Sequence, residues 1–220
     1  QSLALNTIAN IGGQEFAESL NEDIIQLLVS SRSVQIVRKK AALCLLRLIR
    51  KYPDVVPSTQ LAPRMIALMD DNNKGVLTSV ISLILGICSH NPKGYEQARD
   101  KAIKILASLA FNNDIKSLYK YYLTVAPWLQ VKLLKLLQYF PPPSDTAVMN
   151  RLHHCLNDIL TKTQITKNPN KNNADHAILF EAVNVIMHLS GHDVTLLHKK
   201  AIKRLARFIS FREPNFRYLG

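Results

Sequence analysis

The chain has 220 residues, 47% of them apolar, with a formal net charge of +12, which supplies enough apolar surface for a continuous core and excludes a disordered tail. No apolar run approaches the roughly 18 residues that span a bilayer, and no charged-then-apolar leader opens the chain, so a cytoplasmic protein is expected. The positive charge attracts polyanions, whether anionic lipid, nucleic acid or an acidic protein surface, without choosing among them.

Glycine is scarce, β-branched and aromatic residues never settle into alternation, and leucine, alanine and lysine fill the periodic segments, which predicts helix with little or no sheet. The apolar spacing predicts helices at about 2–11, 14–30, 34–51, 60–70, 74–90, 95–111, 128–139, 145–163, 175–189 and 193–210. Each is too short to fold alone. Paired with its neighbour, each gives a repeat of roughly 40 to 50 residues, so the expected fold is all-α, a HEAT/armadillo-like solenoid of helical hairpins over 1–220.

The punctuation agrees with this layout. Pro53, Pro57, Pro92, Pro127, Pro141 to Pro143 and Pro214 fall between the predicted helices or in a first turn, and no proline is expected in a helix interior. Asp70, Asp71 and Asn72 precede the fifth helix, and Ser144 and Asp145 precede the eighth, where short side chains accept from orphan backbone amides. The stretch KTQITKNPNKNNAD, 162–175, lacks apolar periodicity and is asparagine-rich, so an irregular exposed loop is expected there. Neither end carries a polar capping repeat, and the chain reads as a segment of a longer superhelix.

Catalytic and metal-binding patterns are missing. His153 and His154 stand beside Cys155, and His188, His192 and His198 surround the next hairpin. Adjacent histidines diverge on a helix, Gly191 interrupts the second group, and no CxxC or HExxH completes a coordination shell. There is no GxSxG, no phosphate-binding glycine loop and no carboxylate pair around a plausible pocket. The expectation is a protein that is not an enzyme and has no metal, catalytic residue or cofactor. Cys44, Cys88 and Cys155 sit among aliphatic residues and read as buried free thiols.

The functional signal is electrostatic. Lys199, Lys203 and Arg207 recur at four-residue steps, with Lys200 and Arg204 alongside and Ile202, Leu205 and Ile209 assigned to the opposite, apolar side. A second cluster, Arg38, Lys39 and Lys40, opens the AALCLLRLI helix, and Arg47, Arg50 and Lys51 continue it. Either is a solvated helix face or a contact for anionic lipid or an acidic partner. Tyr119, Tyr121, Tyr122 and Trp128 form the one aromatic concentration, read as core or hairpin packing.

The segment APWLQVKLLKLLQYFPPP, 126–143, resembles the trunk of the adaptin family, the large chains of clathrin adaptor complexes, in its alpha-type form. Three further matches occur in the expected order: KKAALCLLRLIRKYPDVVP from Lys39, NADHAILFEAVNVIMH from Asn173, and REPNFRYLG from Arg212. The PPP ending and the PWLQVKLLKLLQ form favour alpha over gamma. The resemblance implies a curved helical solenoid acting in clathrin-mediated endocytosis and intracellular protein transport. It implies partnership with beta-type large, medium and sigma small subunits, and a peripheral place on the plasma membrane at clathrin-coated pits, where phosphoinositide contact is available. The family's lysine-rich lipid site lies in a segment that has no match here, so no lipid-binding residue follows from the resemblance.

Two alternatives rest on the same features. One is a large subunit of another adaptor or coat complex, or a transport-receptor HEAT scaffold. The other is a helical-repeat RNA-binding protein, but such proteins read bases with side chains that recur in every repeat. No such set recurs here, and no nucleic acid partner is expected.

Overall fold

The computed structural model describes residues 1–111, 117–189, 195–211 and 214–219. Its architecture is all-α, and the chain divides into two compact units, Gln1–Lys101 and Ala102–Gly220. Gly191 and His192 of the histidine group, and Arg212 of the last adaptin-like motif, lie outside the described residues.

The first unit holds α1 (Ser2–Ile11), α2 (Gln14–Val29), α3 (Gln35–Lys51), α4 (Ser58–Ala67), α5 (Lys74–Cys88) and the start of α6 (Glu96–Phe111). The central element is α3, which packs against α1, α2 and α5. Ala41, Ala42, Leu45, Leu48 and Ile49 recur at helical spacing and are buried, so one apolar stripe serves several neighbours. Gly86 sits where α5 meets α3: a Cβ there would lie 2.2 Å from Leu46 Cδ1, so the missing side chain permits the close approach. The α5 serines that share this burial are satisfied locally, Ser79 and Ser82 donating to the carbonyls of Gly75 and Thr78 at 3.1 and 2.7 Å.

Helix α5 is capped by Asn73, whose Oδ1 accepts from the amides of Gly75 and Val76 at 3.0 Å each. The expected caps Asp70, Asp71 and Asn72 all precede the residue that caps the helix, Asn73. Asp71 instead accepts from the Asn73 amide at 2.8 Å and pairs with Arg38, while Asp70 pairs with Lys101. The proline expectation also needs correction, because Pro63 lies inside α4. That helix starts at Ser58, two residues before the predicted start, which carries Pro63 beyond the first turn.

The second unit begins within α6. A 3-10 turn, Ser117–Tyr119, leads into a two-stranded antiparallel ribbon, β1 (Lys120–Tyr121) and β2 (Thr124–Val125), with Tyr121 opposite Thr124. Its two-residue turn holds Tyr122 and Leu123 at φ of 45° and 72°, a left-handed conformation that side chains with a Cβ adopt at some cost. Next come α7 (Pro127–Leu137), α8 (Thr146–Lys162), α9 (Pro169–His188), α10 (Thr195–Phe208) and α11 (Pro214–Leu219). Helix α9 packs on α7 and α8, and α10 packs on α8 and α9. Asp145 caps α8 as expected, accepting from Ala147 and Val148 at 2.7 and 3.3 Å.

The irregular stretch expected over 162–175 is confined to 163–168, because α9 starts at Pro169. Asn168 is its N-cap, accepting from the Lys171 amide at 3.1 Å, and Pro169 stands in the first turn, where its missing amide costs nothing. Asn172 then grips the preceding loop, exchanging bonds of 2.8 Å with the Thr166 amide and carbonyl. The asparagines are thus capping and bracing groups, and the first turns of α9 lack apolar periodicity because they carry that work. Replacing Asn168 with alanine is expected to lower stability by about 1 kcal/mol, a fall of roughly 2–4 °C in a thermal melt followed by circular dichroism. An unchanged melt would mean the cap is dispensable.

Candidate interaction surfaces

His188 Nε2 donates to the Phe140 carbonyl at 2.9 Å and His198 Nε2 donates to the Ile186 carbonyl at 3.1 Å, so two histidines of the group singled out in the sequence pin one element to another. Among the described residues no cluster of three or more His, Cys, Asp or Glu is placed to hold a metal ion. Cys44, Cys88 and Cys155 are buried, and burial pushes their thiols up to about 11, 12 and 11, which leaves negligible thiolate at neutral pH. Among the described residues no helix is long and apolar enough to cross a membrane.

A cavity of about 210 Å³ lies in the second unit beside Thr124, Asp158, Lys162, Lys171 and Asp175. Its charges neutralise one another. Lys162 pairs with Asp158 at 2.7 Å, Lys171 with Asp175 at 2.5 Å, and Thr124 donates to Asp175 at 2.6 Å.

The basic stripe of α10 divides into two sets. Lys200 Nζ donates to Asn157 Oδ1 at 2.5 Å and Arg204 Nη2 donates to the Thr161 carbonyl at 3.1 Å, so both cations fasten α10 to α8. Lys199, Lys203 and Arg207 lie on the exposed side. The apolar side assigned from the sequence is corrected. Leu197, Ala201 and Phe208 are buried, whereas Ile202 and Ile209 are 66% and 61% exposed. Phe208 decides the rotation of the helix, since its ring fits between His176 and Phe180 at centroid distances of 4.8 and 5.0 Å. The solvent side of α10 therefore carries three cations next to an isoleucine strip.

The cluster at the start of α3 is drawn inward. Arg38 Nη1 lies 2.6 Å from Asp71 Oδ2 and its Nε donates to the Leu28 carbonyl at 3.1 Å. Lys39 lies against Gly75 in the first turn of α5, and Lys40 is half-buried. Further along, Lys51 donates to the Gly12 carbonyl at 3.0 Å. Arg47 and Arg50 remain exposed, on the same side as the half-exposed Leu43 and Ile36.

The aromatic group is a hairpin cluster with an open rim. Tyr121 meets Tyr122 and Trp128 edge-on at 4.8 and 4.9 Å. Trp128 and Leu123 are largely exposed and Tyr122 about half so, whereas Tyr119 and Tyr121 are half-buried, so packing explains only the latter two. The sequence located the aromatics but held no sign that the left-handed turn would present Leu123 to solvent.

Packed helical hairpins, with exposed cations set beside exposed aliphatic and aromatic groups and with buried thiols, define a helical-repeat scaffold fold. Comparison with known proteins fits that class. The family described as the Adaptin N terminal region matches residues 1–220, and the chain belongs to that family. Over all of its length it is 48% identical to AP-2 complex subunit alpha-1 of Arabidopsis thaliana and 41% identical to AP-2 complex subunit alpha-2 of Dictyostelium discoideum, in each case covering 22% of the relative. It is 37% identical to AP-2 complex subunit alpha of Schizosaccharomyces pombe, again over its full length and 25% of the relative. The chain thus spans about a quarter or less of the curated relatives it matches.

Proposed function

We propose that the chain is a non-catalytic scaffold segment of the alpha-type large subunit of a clathrin adaptor, acting in endocytic vesicle formation and intracellular protein transport. The observation that carries this reading is the full-length likeness, at 48% identity, to proteins named as AP-2 alpha subunits. Its partners are then a beta-type large chain, a medium chain and a sigma small chain. Its location is the cytoplasmic face of the plasma membrane at clathrin-coated pits. Helical-repeat scaffolds offer extended surface for cradling smaller subunits and need no reaction pocket. Within this reading Lys199 and Lys203 face anionic lipid, while Arg38, Lys39, Lys200 and Arg204 hold the fold together.

Co-expression with sigma-type small chains from different adaptor complexes, followed by size-exclusion chromatography, tests the proposal. Selective co-elution with the endocytic sigma chain is the expected result. A well-folded chain that co-elutes with none of them would overturn it, and co-elution with a sigma chain of another complex would move the assignment to that complex.

A further inference from the structure

A second cavity of the Ala102–Gly220 unit, about 120 Å³, opens between the 163–168 loop, α9 and α10. It has room for about four waters, well below a drug-sized pocket, and so suits a single side chain. Its floor is apolar, formed by Leu179, Phe208 and Phe211, with Ile165 at the edge. Arg204 and Arg207 stand on one wall. Arg204 is partly committed through the Thr161 carbonyl, whereas Arg207 is exposed.

Thr163, Gln164 and His176 complete the lining, and His176 is 2% exposed, with a buried Nδ1 that has no hydrogen-bond partner. Phe208 and Phe216 hold its ring edge-on at 4.8 and 4.9 Å. Burial pushes its imidazole below the ordinary value, against a smaller opposing pull from Asp175, so the ring is neutral at physiological pH and leaves the arginines as the local charge. Among the described residues no acidic side chain lines this cavity, in contrast to the self-neutralised cavity beside Asp158 and Asp175.

We infer that this cavity is a docking site for an acidic peptide segment, which seats one aliphatic side chain on the Phe208 and Phe211 floor and a carboxylate against Arg207. Charge complementarity selects an anion, and the apolar floor selects the kind of anion. A sugar-phosphate headgroup would leave its hydroxyls unpaired on that floor, at a cost for each buried group. An aliphatic side chain loses nothing there and gains by leaving water. The inference stands apart from the scaffold reading, because it requires only this unit to be folded.

The test is fluorescence anisotropy of the whole chain with the labelled peptide Gly-Glu-Leu-Glu-Gly. Two control peptides replace its leucine with serine or its glutamates with glutamines. Saturable binding of the first peptide is expected, with affinity lower by about tenfold or more for each control and for Arg207→Glu, and by a smaller factor for Arg207→Gln. Because Arg207 is exposed, both variants should keep the parent melt, and Lys199→Glu should bind the peptide as the parent does. Equal binding of the serine control, equal binding by Arg207→Glu, or no saturation up to millimolar peptide would overturn the inference. Arg207-dependent binding of phosphatidylserine vesicles without peptide binding would also overturn it, and would assign the cavity to lipid headgroups.

Discussion

Replacing Arg38 with glutamine is expected to destabilise the first unit by about 3 kcal/mol, the lower part of the range for removing one partner of a buried ion pair. Arg38 and Asp71 are each 13% exposed and 2.6 Å apart, so the variant strands a carboxylate with little access to water. It also releases the Leu28 carbonyl at the end of α2, and Asp71 in turn positions the Asn73 cap of α5. One side chain thus joins α2, α3 and α5. Urea denaturation followed by circular dichroism reads the loss. A cycle that adds Asp71→Asn should recover part of it, because the stranded charge goes as well. A single variant as stable as the parent would return Arg38 to the pool of free surface cations.

Reversing Lys199 and Lys203 to glutamate is expected to act on binding and leave the fold alone. Both are exposed, and each cation near an anionic membrane contributes about 1 kcal/mol. Losing two removes about 2 kcal/mol, roughly thirtyfold in affinity, and the introduced negative charges add repulsion. Sedimentation with inositide-containing liposomes should fall accordingly, with helicity and melting temperature unchanged. Parent binding should itself weaken as salt rises, since the contact is solvent-exposed. Lys200→Glu should behave in the opposite way, losing the bond to Asn157 and costing stability more than lipid binding. Unchanged sedimentation of the double variant would remove α10 from the membrane-facing surface.

These two results would separate cations that look alike in the sequence. Arg38, Lys39 and Lys40 form as dense a cluster as Lys199, Lys200 and Lys203, yet their surroundings differ. A residue's spacing fixes its side of a helix, but its partner comes from elsewhere in the chain: Asn157 lies 43 residues from Lys200, and no local window contains both. The same limit explains α10. Isoleucines at 202 and 209 and Leu197, Ala201 and Phe208 are both acceptable apolar stripes, and the choice fell to the ring cluster around His176, which lies on another helix.

The start of α9 is a different kind of miss, because its signal was local. Asn168 followed by Pro169 is a helix-start pattern, but a search for apolar periodicity passes over a helix whose first turns are polar. The adaptin-like motif at 126–143 was legible because α7 is set by local rules. Pro127 opens it, Leu129, Leu133, Leu136 and Leu137 line its buried side, and prolines follow it.

By itself the sequence determined the all-α class, the order of the helices and most of their ends, and the family likeness. Helix propensity, capping and proline chemistry act within a few residues and are written where they act. Tertiary structure decided which cations remain available, which side of α10 is buried, and that two arginines stand over an apolar cavity. Each of those depends on the desolvation and pairing of groups distant in sequence, energies that arise only once the helices have packed.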